Sequence, residues 1–233
     1  MAPPNPASEP GKPTRASRVA AELRTEILRG GLGPGMKLNL DQLREKLGVS
    51  LSPLREAISR LVADGLVEIE DQRGFRVARI SRENLAEVVE MRADLECLAL
   101  GLSIERGDIE WESRVLSTLH TLQRMGLERA EARAQERREA AHFAFHDALV
   151  SGCGRASLIR LCGSFYDLNC RYMNILISEP GKRWRDLDDH GPIAEAAVGR
   201  RKGLAVELLR QHIVEMGAVL ARHLADAGQR PTA

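Results

Sequence analysis

Residues 47–69 read LGVSLSPLREAISRLVADGLVEI, and they decide how the first third of this chain is organised. Gly48 sits where a preceding helix would end, and Val49-Ser50 lead into the next one. Ser52 is placed to cap that helix, with Pro53 at the favoured first helical position and Gly65 closing it. Beyond it, LVEIE (66–70) and FRVARI (75–80) read as two short strands joined by the glycine-containing turn DQRG. Upstream, Ser17 opens SRVAAELRTEILR (17–29), where Val19, Leu23 and Ile27 form an apolar helical stripe. The GGLGPG run (30–35) stops that helix, and LDQLREKL (40–47) supplies a short second one. Helix, helix, tight turn, helix, hairpin is the order of a winged helix-turn-helix.

The totals leave room for this and a second domain. At 233 residues the chain can bury a substantial core. With 43% hydrophobic and 29% charged residues it has the balance of an ordinary water-soluble protein, and the scarcity of aromatics (3%) favours a mostly helical one. The longest apolar runs are far short of a membrane span, and no basic-then-apolar signal segment opens the chain, so a cytoplasmic protein without membrane contact is expected. Cys97, Cys153, Cys162 and Cys170 lack a CxxC spacing and read as reduced thiols. Residues 1–14, with five prolines, and 229–233 read as tails. Residues 15–80 carry 12 Lys or Arg against 9 Asp or Glu, an excess too mild to establish nucleic-acid binding alone.

The residues from Arg18 to Ile80, above all PLREAISRL and the following RGFRVA, resemble the DNA-binding domain of GntR-type bacterial transcription regulators. The resemblance implies double-stranded DNA, as a palindromic operator, for a partner. It places Ser50, Ser52 and Arg55 against the major groove and Arg73 and Gly74 at the wing tip. Ser52 has a competing reading as the helix cap alone, and Arg60 belongs on a solvated flank. Two positions depart from the family pattern: Leu51, where arginine is common, and Asp41, where a polar or basic residue is. Both weaken the grip on phosphate and free the operator from the family's usual half-site.

After a short linker at 81–84, residues 85–228 show helical periodicity throughout. Helices are expected over 85–105, 111–125, 128–151, 156–177, 187–199 and 203–227. Within the third, HFAFH sets His142 and His146 four apart, on one helix face. EVVEMRADLECLAL, FHDALVSGCGRASL and the spaced His190 and His212 resemble the FCD domain, an all-α antiparallel bundle that follows the winged helix in FadR-like regulators. Many such domains hold a divalent metal through one Asp and three His. By that resemblance His146, His190 and His212 are the three histidines, and His142 stands in the aspartate position. An all-imidazole set suits transition metals, zinc first and nickel next, and is poor for magnesium or calcium. Neutral imidazole is the ligand, so occupancy should fall as pH drops through about 6. Gly191-Pro192 directly follows His190, and a late helix start there would swing that imidazole away. His120 and His223 match no motif and read as exposed.

The same resemblance assigns Arg92 to an effector cavity, where it and the metal would grip a small organic acid. An ion pair with Glu96, four residues on, is the alternative. Arg171 and Asn174 are weaker candidates for the cavity lining, and Tyr172 reads as core. The expected function is a homodimeric transcription regulator, a repressor, whose operator affinity responds to the acid. A metal-sensing regulator is the second reading. A metalloenzyme is disfavoured, because HFAFH lacks the glutamate base of HExxH.

Overall fold

The computed structural model describes residues 14–71, 73–126, 132–176 and 190–228. The chain divides into two compact units, one ending at Arg79 and the other beginning at Ile80.

In the first unit, α1 (Arg15–Leu28) buries Ala16, Val19, Leu23 and Ile27. It packs on α3 (Leu51–Ala63), whose Leu54, Ala57, Ile58 and Leu61 are buried. The short α2 (Leu40–Leu47) begins at Asn39, whose side chain accepts from the backbone N–H of Asp41 and Gln42. It ends at Gly48, which adopts the left-handed conformation with φ 60° that favours glycine. Strands β2 (Val67–Glu70) and β3 (Gly74–Val77) form the expected hairpin, in antiparallel register with Ile69 opposite Phe75. The sequence reading missed β1 (Lys37–Leu38), which pairs with the other side of β3 to give the order β1-β3-β2. Two residues cannot show an alternation, so this strand leaves no periodic signal. Arg76 braces the hairpin by donating to both oxygens of Glu70, at 2.6 and 3.0 Å, and to the carbonyl of Gly35.

Two helix starts differ from expectation. Thr14, not Ser17, caps α1, its side chain accepting from the Ser17 backbone N–H. Ser50, not Ser52, is the N-cap of α3, so Ser52 lies inside the first turn and Pro53 is its third residue.

The regular structure among the second unit's described residues is all helical: α4 (Arg82–Arg106), α5 (Ile109–Gly126), α6 (Ala132–Ser151), α7 (Ala156–Leu176), α8 (Gly191–Val198) and α9 (Lys202–Gly228). Segment 81–84 is no linker here: Ser81 caps α4, its hydroxyl accepting from the Asn84 N–H, and the helix begins at Arg82. The expected helical residues 128–131, 177 and 187–189 lie outside the described ones. Helix α4 packs against α6, α7, α8 and α9, and its buried residues therefore wrap around the axis instead of forming one stripe. Leu100, Val115, Phe145, Leu149, Ala194, Leu209 and Ile213 fill the centre. The indole of Trp111 donates to the carbonyl of Ala148 at 2.9 Å, tying α5 to α6. Tyr172 is core, as expected, and its hydroxyl donates to Asn84 Oδ1 at 2.7 Å, fixing α7 to the start of α4.

Ile58 is fully buried, so Ile58→Ala should cost about 2–5 kcal/mol of winged-helix stability in denaturant titration. Ser52→Ala, which removes no cap, should cost less than about 0.5 kcal/mol by the same measurement.

Candidate metal centre and nucleic-acid interface

Helix α6 presents His142 and His146 one turn apart, with ring centroids 4.7 Å apart. His212 comes from the middle of α9, and His190 is the N-cap residue of α8. Helix α8 starts at Gly191 with Pro192 in its first turn, and His190 stays in the cluster, its ring 4.5 Å from that of His212 and 4.9 Å from that of His142. The phenyl ring of Phe145 backs the group, edge-on to His190 at 5.0 Å. One potential ligand atom from each of the four histidines lies within 4.8 Å of every other. Donors around a tetrahedral ion with bonds of about 2.0–2.1 Å stand roughly 3.3 Å apart, so a small inward rotation of the rings closes the set.

The electrostatics favour the ligand form. His142, His146 and His190 are buried and His212 is half-buried. Burial, then the neighbouring imidazoles and Arg92, hold the pKa of His142 well below 6.5. Burial and then Arg92 do the same for His146. His212 is lowered to about 3, again chiefly by burial. These imidazoles are therefore neutral, lone-pair donors well into the acid range, and protons compete with a metal only below the pH of about 6 that unperturbed histidines suggest. All four side chains fit a transition-metal ion, and the absence of a carboxylate among them disfavours a hard cation.

Arg92 and Glu96 stand beside the cluster, both fully buried. Glu96 accepts from Arg92 Nε at 2.6 Å through one oxygen and from His146 Nδ1 at 2.8 Å through the other. Arg92 is thus in the ion pair that the sequence offered as an alternative, and its guanidinium also lies over the Tyr166 ring, 4.8 Å from the centroid. Tyr166, which no sequence signal marked, places its hydroxyl on His142 Nδ1. A narrow cleft with room for little more than a water molecule opens next to these groups, lined by Glu96, His146, Tyr166, Phe143, Ile159 and Cys162 among others. Further along α7, Arg171 is buried and Asn174 half-buried. His120 is exposed as expected; His223 is not, being half-buried with Nδ1 2.8 Å from the Val219 carbonyl.

In the first unit the candidate DNA contacts share exposure. Ser50, Ser52 and Arg55 line the start of α3, and Arg73 and Gly74 sit at the hairpin turn with Gly74 at φ 95°. The Ser50 hydroxyl makes no cap hydrogen bond. Arg55 and Arg73 form no ion pair among the described residues, whereas Arg60 is spent on Glu56 and Ser17. Leu51 and Asp41, the two departures, are also exposed.

A winged helix with exposed arginines, followed by an all-helical unit, defines a class of two-domain DNA-binding protein. The family models agree: residues 15–77 match the bacterial regulatory proteins of the gntR family, and residues 87–215 match the FCD domain. The chain belongs to the GntR family of transcription regulators, in the branch with an FCD domain, and is a DNA-binding regulator and not an enzyme. It is 34% identical over 196 residues to the HTH-type transcriptional repressor GlaR of Escherichia coli K12, across 82% of this chain and 89% of that protein. Over 193 residues it is 34% identical to the regulator BphR of Paraburkholderia xenovorans LB400, covering 82% and 79%. The structure of E. coli McbR/YncC shares the fold, with a TM-score of 0.75 at 20% identity over 91% of this chain and 99% of that one.

Burial of neutral histidines makes the metal-free helical unit acid-sensitive. The unfolded chain takes up protons as pH falls through 6.5 while folded His142, His146 and His212 do not, so stability is full above that pH and is lost below it. Each contributes a slope of about 1.4 kcal/mol per pH unit. Denaturant midpoints of metal-free protein should therefore fall steeply from pH 6.5 to 5; a flat profile would contradict the burial described.

Proposed function

We propose that this regulator is a repressor that binds a two-fold operator as a homodimer, with a transition metal held by His142, His146, His190 and His212. A small organic acid, bound beside the metal with Arg92 and with Arg171 and Asn174 nearby, alters operator affinity. The observation that carries the reading is the convergence of four imidazoles from three helices on one buried point. Zinc is the first choice and nickel the second, as the donor set implies. When bound, the ion would supply a Lewis-acidic position for an effector oxygen. The chain's own part is to hold His142, His146 and His212 neutral, to orient the rings, and to shield the site with Phe145 and Tyr166. An effector shifts operator binding only through unequal affinity for two arrangements of the protein. Relatives named as repressors, GlaR among them, support the sign. Among the described residues no helix is long and apolar enough to cross a membrane, in keeping with a cytoplasmic regulator.

A second reading, in which the ion itself is the signal, gains from one observation. Arg92 is fully buried and already paired with Glu96, so an acid would have to compete with a carboxylate for its guanidinium. The two separate cleanly: operator binding that changes with zinc or nickel alone supports the sensor, and a change that requires a carboxylate supports the effector.

Elemental analysis of protein purified without a histidine tag should find about one zinc or nickel per chain. Less than about a tenth of an ion, with no uptake when either metal is offered, would remove the metal from the proposal. His146→Ala should lose the ion and keep operator binding, and His120→Ala should lose neither.

On the DNA side, Arg55→Ala should weaken operator binding by about 1–3 kcal/mol if it grips a base edge. Ser50→Ala should weaken it while leaving the melting temperature unchanged, because that hydroxyl caps nothing. Arg73→Ala should reduce specific and nonspecific binding together. Retardation of operator DNA like wild type by all three would mean that α3 and the wing do not dock on DNA in this way.

Light scattering should show the full chain as a dimer without DNA, and a chain ending at Ile80 as a monomer. A dimeric truncation would move the interface into the winged helix.

A further inference from the structure

The four histidines come from α6, α8 and α9, and α4 supplies none of them. Yet α4 touches the cluster through Glu96, which is fully buried. Its two oxygens are divided between two partners. One accepts from Arg92 Nε at 2.6 Å, and the other lies 2.8 Å from His146 Nδ1. A carboxylate accepts only, so the proton between Glu96 and His146 sits on Nδ1. That fixes the tautomer and leaves the lone pair on Nε2. The Nη2 of Arg92 flanks the ring, 3.2 Å from Nδ1 and 3.5 Å from Nε2; with the proton on Nδ1 its only possible acceptor there is Nε2, at the long limit of a hydrogen bond and weak enough for a metal ion to displace.

We infer that Glu96 is a positioning residue for the metal centre, holding His146 with Nε2 toward the ion and tying the centre to α4. The inference rests on the four-histidine metal reading above. Glu96 stands outside the cluster of potential ligand atoms, which the four histidines alone supply, and spends its oxygens on Arg92 and His146. Metal-bound histidines generally donate their second N–H to such a carboxylate, and removing it weakens metal binding about 10–100-fold. Glutamine cannot replace it here. An amide offers one oxygen for two donors, and its NH₂ would face either Arg92 or His146, each of which needs an acceptor.

Two measurements on the full chain test this. In competition against a chromophoric zinc chelator, E96Q should bind zinc about 10–100-fold more weakly than wild type; a folded E96Q within about twofold of wild type would overturn the inference. The second needs no variant. With ¹⁵N-labelled histidine, zinc-loaded wild type should show His146 protonated at Nδ1 with Nε2 on the metal; a ring bound through Nδ1 would overturn it. The metal centre and the role of Glu96 fail differently. Wild type that takes up no zinc or nickel removes both together, whereas zinc-loaded wild type with an indifferent E96Q removes only the latter.

Discussion

Arg92 and Glu96 lie one helical turn apart in the middle of a helix surrounded by four others, and neither is more than about 2% exposed. Placing a guanidinium and a carboxylate in such a position is costly unless each finds partners, and removing one of a buried pair typically costs about 3–5 kcal/mol. Their needs organise what surrounds them. Glu96 recruits the N–H of His146, Arg92 lies against the face of Tyr166, and Tyr166 in turn places its hydroxyl on His142. A run of polar and ring contacts therefore links α4, α6 and α7, and the four imidazoles collect beside it.

That arrangement explains why an interior so rich in histidine is tolerated. Isolated buried imidazoles would be a liability, but here burial and the adjacent cation keep His142, His146 and His212 neutral. His142 and His146 each have one nitrogen already engaged, with Tyr166 and Glu96 respectively. What remains is a set of lone pairs gathered around one point, held in place because Phe145, Leu100 and Ile213 pack the bundle closely around it.

The winged-helix unit follows the opposite logic. Its core is apolar and complete, with Ile27, Leu54, Ile58, Leu66 and Val77 all but inaccessible. Its arginines take different roles. Arg76 braces the hairpin and Arg60 pairs along its own helix, while Arg55 and Arg73 form no ion pair among the described residues. The candidate site of one unit is made of exposed side chains, and that of the other of hidden ones.

The sequence alone determined the order of the helices and the hairpin, the division near residue 80, and the placing of His142 and His146 on one helix face, while His190 and His212 came from the family resemblance. Stripes such as Val19-Leu23-Ile27, the glycine stops, and the spacing of HFAFH are local, and local patterns survive in a string of letters. The resemblance of PLREAISRL and of FHDALVSGCGRASL to a known family supplied the remainder. Tertiary structure decided whatever depends on partners distant in the chain. It retained His190 despite Pro192, because the N-cap position of α8 still faces the cluster. It turned Arg92 toward Glu96, and it brought in Tyr166, 24 residues from His142, with no motif to announce it. It moved two helix caps by a few residues, since neighbouring Ser and Thr compete for the same backbone N–H groups and only the chain's path chooses between them. β1 exists only because β3 offers it an edge.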